Sequence, residues 1–285
     1  MLNNSIDTFI GCGGRYEDAS IVLFGAPFDS TTSYRPGTRF GSKAIRGESF
    51  GLETYSPYQD ADLADARVFD SGDLELSFGD PDSALRDIQE RTRIILEDGK
   101  LPVMLGGEHL VTLGAVRSVA QAYPELHILH FDAHADLRDD YLGAALSHAC
   151  VIRRCWDLVG DGRIAQFGIR SGDREEFRWA AEGHVRMQKF DFSGLSDVLL
   201  LLKGKPVYLT LDLDVLDPSV FPGTGTPEAG GASFRQLLDA VLAVCRNASI
   251  VGCDVNELSP VYDPSGISTA TACKVVRELL LALSK

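Results

Sequence analysis

Six residues of this chain have the types and spacing of a divalent-metal centre: His109, then Asp132-x-His134-x-Asp136, then Asp212-x-Asp214. Four carboxylates gathered in one place repel one another and resist ionising unless positive charge neutralises them. Two divalent ions bring about four positive charges, which balances the set. Oxygen-rich donors with two imidazoles suit Mn²⁺ best, with Fe²⁺, Co²⁺ or Zn²⁺ as alternatives, and differ from the thiolate-rich sites of structural zinc. Carboxylates bridging two such ions hold them close enough to activate a shared water near neutral pH. Metal-dependent hydrolysis is the chemistry these residues point to. Taken singly, Asp212-x-Asp214 also suits a turn or a helix cap, and Gly106-Gly107-Glu108-His109 a plain strand-to-helix turn with His109 early in the helix. Asp132-Ala-His-Ala-Asp136, directly after an apolar run, has few structural uses. The combination decides for metal.

For these segments to meet, the elements that carry them must end at one edge. Apolar runs recur at Ile21 to Phe24, Arg67 to Phe69, Pro102 to Leu105, His127 to Phe131, Ile164 to Ile169, Val185 to Phe190, Val207 to Leu211 and Ile250 to Val255. Most are nearly continuous rather than alternating, as in parallel strands covered on both faces, and they predict about eight strands. Helices separate many of them. Asp80-Pro81 supplies an N-cap and a first-turn proline, Leu85, Ile88, Thr92 and Ile95 fall at helical spacing, and Gly99 suits the C-cap. Ser233-x-x-Gln236 is a capping box ahead of Leu237, Leu238, Val241 and Leu242. Strands alternating with helices predict an α/β fold with a parallel sheet inside helical layers. Open parallel sheets gather their ligands beyond the carboxyl ends of the strands, where every one of the six candidates falls. In extended chain, residues spaced by two point to one side, so 132, 134 and 136 form one set, and 212 and 214 another. No repeat, low-complexity tract or linker interrupts the series, and residues 1–285 read as a single domain.

Composition narrows the partners. With 41 acidic against 27 basic residues, a net charge of -14 speaks against nucleic acid and against an anionic membrane surface, and favours a cationic substrate. Six cysteines with no C-x-x-C pair read as reduced thiols. Met1 to Ile10 is polar, without a basic start and apolar core, and no apolar run approaches the about 18 residues of a membrane span, so a soluble cytoplasmic protein is expected. Gly11-Cys-Gly-Gly14 and Gly223-Thr-Gly-Thr-Pro227 lack the strand-turn-helix context of a nucleotide loop. The second reads as a rim loop near the metals, and Tyr34 to Arg46 as lining for the substrate mouth or a subunit contact.

Four segments, Leu105-GGEH-Leu110, His130-FDAHAD-Leu137, Thr210-LDLDVLDP-Ser219 and Gly252-CDVNELSP-Val261, resemble the ureohydrolase family of arginases and agmatinases in order and spacing. Supporting stretches at Gly25 to Gly47, Pro222 to Ala232 and Tyr262 to Ala270 extend the resemblance over nearly the whole chain. It implies a three-layer α/β/α sandwich around an eight-stranded parallel sheet, and a homotrimer or homohexamer. It also implies two Mn²⁺ per subunit, with His109 and Asp136 on one ion, His134 and Asp214 on the other, and Asp132 and Asp212 bridging. A hydroxide held between the ions would attack the guanidinium carbon of a small cationic guanidino substrate, releasing urea and an amine. His148, in Leu146-Ser-His-Ala149, is the expected proton shuttle, its unperturbed pKa lying near working pH. Glu257 matches the position that grips the guanidinium, a carboxylate pairing well with two parallel N–H groups. Asp254 is expected to support the sheet edge or the ligands from behind, and His127, His130 and His184 to be structural, with His130 near enough to tune a ligand.

Substrate choice lies at the far end of the cavity, where arginine has a carboxylate and agmatine only a primary amine. The loop Leu137-RDDYLGAAL-Ser147 departs from the Ser- and Asn-bearing loop of arginases, and Asp139 and Asp140 could favour a cationic amine. Agmatine is the expected substrate, with arginine, guanidinobutyrate and guanidinopropionate as alternatives. A two-metal phosphoesterase would want Arg or Lys near the ligands, and these clusters offer mostly acids; Arg138 could pair with a carboxylate or merely neutralise its acidic neighbours. A non-catalytic metal-binding homologue would be expected to miss a ligand or the shuttle, and none is missing.

Overall fold

Along each central strand, neighbouring side chains divide between two separate apolar cores. In the computed structural model, which describes residues 7–285, Ile21 and Leu23 face one core while Val22 and Phe24 face the other. Leu209 and Leu211 likewise part from Tyr208, and Leu129 and Phe131 from Ile128. Both faces of the strands are dry, which is why their sequences run continuously apolar. The first residues of the polar stretch Met1 to Ile10 lie outside the described residues.

The strands are β1 (Ile21–Gly25), β2 (Tyr55–Ser56), β3 (Ala61–Asp62), β4 (Val68–Asp73), β5 (Leu101–Leu105), β6 (His127–Phe131), β7 (Ile164–Ile169), β8 (Arg186–Lys189), β9 (Pro206–Asp212) and β10 (Ser249–Asn256). Eight form one sheet in the order β4-β1-β5-β10-β9-β6-β7-β8, and every pairing in it is parallel. The expected strands are all present; β2 and β3 make a small antiparallel hairpin that was not expected, being too short to show a period.

Helices α1 (Gly41–Ser49), α2 (Pro81–Glu97), α3 (Val111–Ala122), α4 (Val151–Val159), α5 (Arg174–Ala181), α6 (Leu195–Leu201), α7 (Phe234–Asn247) and α8 (Ile267–Leu283) complete the fold. Residues of α2, α3, α4 and α5 share one core and those of α1, α6, α7 and α8 the other, giving the three-layer α/β/α sandwich. The end signals act as read: the Asp80 side chain accepts the Ser83 N–H at 3.0 Å, and Ser233 and Gln236 cap each other's backbone. A second capping box, Asp173 with Glu176, starts α5. Among the described residues, no helix is long and apolar enough to cross a membrane, and all six cysteines are free.

Candidate metal centre and substrate cavity

Loops leaving the carboxyl ends of β5, β6, β9 and β10, four neighbours at the middle of the sheet, bring the candidates together. After β5, the chain must turn against its neighbours at once. A Cβ on Gly107 would overlap the backbone of Phe28, and one on Gly106 the Asn256 side chain, so only glycine fits there. His109 follows, buried, just before α3.

The expectation that Asp-x-His-x-Asp and Asp-x-Asp sit on extended chain is corrected. Asp132 and Asp212 each turn back to accept the N–H two residues on, from His134 at 2.6 Å and Asp214 at 2.8 Å. Asp214 lies in a 3₁₀ turn and Asp136 has a φ of 53°. An Asp side chain capping its own turn competes with strand geometry, and this is what the spacing of two encodes. One oxygen of each carboxylate is thereby tied to backbone; Asp214 does the same with the Ala133 N–H at 3.2 Å.

The carboxylate oxygens converge on the two imidazoles. His109 Nδ1 lies 3.0 Å from Asp132 Oδ2, 3.2 Å from Asp212 Oδ2 and 3.3 Å from Asp136 Oδ2, while His134 Nδ1 is 3.0 Å from Asp214 Oδ2 and 3.4 Å from Asp132 Oδ1. Two overlapping groups that could hold a metal result, His109, His130, Asp132 and Asp136 in one and Asp132, His134 and Asp214 in the other, with Asp132 in both and Asp212 beside the first. Burial pushes Asp136 up to about 7, with the charge of Asp132 adding to it. Burial and the charges of Asp214 and Asp132 hold Asp212 well above the usual range. Asp132 is the exception: burial would raise it, but His130, His109 and His134 hold it far below. Burial works against charging His109 and His134, yet the carboxylates around them raise both.

Behind the donors, a second set of polar groups fixes their orientation. His109 Nε2 is 2.8 Å from Thr210 Oγ1, and the Thr210 hydroxyl donates to Asp254 Oδ1 at 2.6 Å. The hydroxyl hydrogen being committed, Thr210 can only accept from His109, so His109 carries its proton on Nε2. That leaves Nδ1, buried and facing three carboxylate oxygens: without metal it takes up a proton, and with that proton displaced it offers a lone pair beside those oxygens. Such a group needs a cation, and the donor set fits a pair of divalent ions. Asp254 also accepts from Tyr208 and Asn256, at 2.6 and 2.7 Å, which bears out its expected supporting place. His130 does the same for Asp132: its Nδ1 accepts from Gln166 and its Nε2 donates to Asp132 Oδ2 at 2.8 Å. With both ring nitrogens used, His130 is a prop rather than a donor. His127 and His184 bond to Glu125 O and Asp161, away from the centre.

A cavity of about 220 Å³ opens over the donors, lined by His109, His134, Asp136, Asp212, Asp214, His148 and Glu257 and also by Ser33, Arg138, Tyr141, Ser171, Glu176 and Thr226. His148 is not the surface residue that its place at a helix start would suggest. Its Nδ1 is 2.9 Å from Thr31 O, which leaves Nε2 toward the cavity, 3.3 Å from Ser33 Oγ. Burial lowers its pKa to about 4, helped by the His134 and His109 charges, so the ring stands neutral at neutral pH instead of half-charged as expected. Glu257 is held at φ 66°, with Oε1 accepting the His109 N–H at 2.8 Å. Burial, then Asp214 and Glu108, raises its pKa strongly.

At the mouth the sequence reading needs correcting. Asp139 turns away to Arg154 and Asp140 to the Gly143 N–H, and neither lines the cavity. Glu176 lines it instead, and was missed; its signal was the Asp173-x-x-Glu176 capping box after an apolar run. Arg138 does line the cavity, paired with Asp173 at 2.9 Å and near Glu176 at 3.5 Å. The rim-loop reading of 223–227 fits, since Thr226 lines the cavity and Arg35 ties the loop by bonds to Thr224 O and Gly225 O. Of the stretch Tyr34 to Arg46, the far end is structural: Arg46 is buried against Asp70 and also pairs with the more exposed Asp73.

Residues 19–282 match the arginase family. The chain is 48% identical to the agmatinase of Bacillus subtilis (strain 168), over 97% of this chain and 96% of that one. It is 39% identical to the N(1)-aminopropylagmatine ureohydrolase of Thermococcus kodakarensis, over 89% and 88% of the two chains. The solved structure of the agmatine ureohydrolase of Thermoplasma volcanium superposes with a TM-score of 0.90 at 35% identity, covering 98% of this chain and 95% of that one.

Proposed function

The chain belongs to the arginase family, and from that premise we propose that it hydrolyses agmatine to putrescine and urea with two Mn²⁺ per chain. The similarity to agmatinases over nearly the full length supports the activity. The observation that carries the substrate choice is at the cavity mouth. Among the described residues, Arg138 is the one Arg or Lys that lines the cavity, and its charge is already taken by Asp173 and Glu176. A substrate carboxylate would find no unpaired cation among the described residues there, whereas Asp173 and Glu176 against one Arg138 leave a net negative charge that, with the negative field of the chain, favours a terminal ammonium.

His109 and Asp136 would hold one ion and His134 and Asp214 the other, with Asp132 and Asp212 shared. Bound there, the ions would offset the four carboxylates and bring the pKa of a shared water toward neutrality. The protein's own groups do the rest. Glu257, its Oε1 anchored by the His109 N–H, keeps lone pairs for a guanidinium, and a bound cation offsets the cost of ionising so buried an acid. Neutral His148, with Nε2 open to the cavity, can take a proton and hand it to the departing amine. Ser33, 3.3 Å from Nε2, stands on that path.

Urea release tests the reading, with Mn²⁺-loaded protein given agmatine, arginine, guanidinobutyrate and guanidinopropionate side by side and a metal-free control. Release from agmatine above the others is expected. Preference for arginine or a guanidino acid would refute the argument from Arg138; no release from any would refute the activity.

A further inference from the structure

We infer that Glu108, a buried acid outside both the donor set and the cavity lining, is a positioning residue for His148, acting through Thr31. The inference rests on the reading of His148 as proton carrier. Glu108 has no solvent exposure and, among the described residues, no ion-pair partner within 4.0 Å. Its carboxylate accepts three hydrogen bonds, all from one segment: the Thr31 N–H at 2.9 Å, the Thr31 hydroxyl, and the Thr32 hydroxyl at 3.1 Å. A buried carboxylate without a counter-ion is costly, and nothing in the cores requires one here.

Thr31 relays the constraint. Its hydroxyl hydrogen is committed to Glu108, so the lone pair must face outward, where it accepts the His148 N–H at 3.1 Å. Its carbonyl meets His148 Nδ1 at 2.9 Å. A carbonyl can only accept, so the proton sits on Nδ1 and the lone pair of Nε2 is left for the cavity. The other tautomer would set two lone pairs against each other. His148 follows a loop whose Leu142 and neighbours are exposed, so Thr31 is its firm side. Glu108 adjoins His109, and one short turn therefore places a donor on the metals and sets the tautomer of the base.

The test is a double-mutant cycle on the Mn²⁺-loaded protein with Glu108→Ala, His148→Asn and their combination, recording kcat, KM and metal content. Glu108→Ala is expected to lower kcat by about 10- to 100-fold, as small displacements of a reacting group do, with KM and metal content unchanged. In the His148→Asn background it should cost nothing further. Losses that multiply, or loss of metal, would overturn the inference. Thr31→Val should lose turnover as Glu108→Ala does and Thr31→Ser should restore most of it; this pair decides if Glu108→Ala does not fold. If His148→Asn turns over like the parent, the proton-carrier reading fails and nitrogen-15 spectra of histidine-labelled protein judge the positioning alone. His148 should then carry its proton on Nδ1 in the parent and on a mixture of nitrogens in Glu108→Ala, and an unchanged spectrum would overturn it.

Discussion

At the scale of single residues, the site separates groups that hold charge from groups that move protons. Among the described residues, His148 has no carboxylate oxygen within hydrogen-bond distance; its hydrogen-bond partners are Thr31, Ser33 and Ser147. His148→Asn should therefore keep its full metal content and lose about 10²- to 10³-fold in kcat, within the usual range for removing an acid-base group. Asp212→Ala removes one of three oxygens around His109 Nδ1 and, on the proposed ligand set, one of the two carboxylates shared between the ions, and should lose bound Mn²⁺ on dialysis. Elemental analysis beside initial rates checks both, and equal metal content with equal rates in the two variants would undo these roles. The six candidate donors were legible in the sequence because each stands in a short cluster at the end of an apolar run, whereas His148 and Glu257 were reached through the family resemblance. Glu176 and Thr31 were not legible, because a capping box and a threonine in a turn look the same whether or not a cavity lies beyond them.

At the scale of elements, β9 and β10 carry a polar line on one face, Tyr208, Thr210, Asp254 and Asn256, in the middle of an otherwise apolar core. Thr210→Val would release Asp254 and let His109 lose its preferred tautomer. Mn²⁺ affinity should weaken by about 10- to 100-fold, the usual cost of losing the partner behind a ligand, and titration calorimetry on the metal-free protein would read it. Arg170, just past β7, spans two loops by donating to Asp214 O at 2.7 Å and Glu228 O at 2.9 Å. Arg170→Ala should cost on the order of 3 kcal/mol in thermal or denaturant unfolding, since it strands carbonyls that a charged donor now satisfies; an unchanged midpoint would contradict this. The eight strands were readable because a dry environment on both faces leaves an unmistakable apolar run. Their order was not: a run of Val, Leu and Ile names a buried strand without naming its neighbour, and nothing in residues 249–256 says that β10 inserts between β5 and β9.

At the scale of the whole molecule, the acids of the centre make metal and pH one variable. Without metal, folding holds Asp136 up to about 7 from an ordinary 3.8, and raises Asp212 and Glu257 in the same sense. The folded protein then keeps protons that the unfolded chain has already lost, so the stability from these groups is complete below about pH 4 and drains away as pH rises through 7. His109 and His134, also raised, push in the same direction above 6.5. Chelated protein should melt at progressively lower temperature from pH 5 to 8 while the Mn²⁺ form changes less, so the gap between the two melting curves should widen with pH; a constant or narrowing gap would refute the account. The late insertion of β10 has a consequence for synthesis. A chain still growing at residue 248 already contains all six donors, but the strand that carries His109 and the strand that carries Asp212 are meant to stand one strand apart, about 9.6 Å at the usual spacing, with β10 as the filler. Until that filler is made, the donors have no fixed separation. Metal uptake therefore marks the moment at which the last strand arrives, and a ribosome-bound chain ending before it should leave Mn²⁺ in solution.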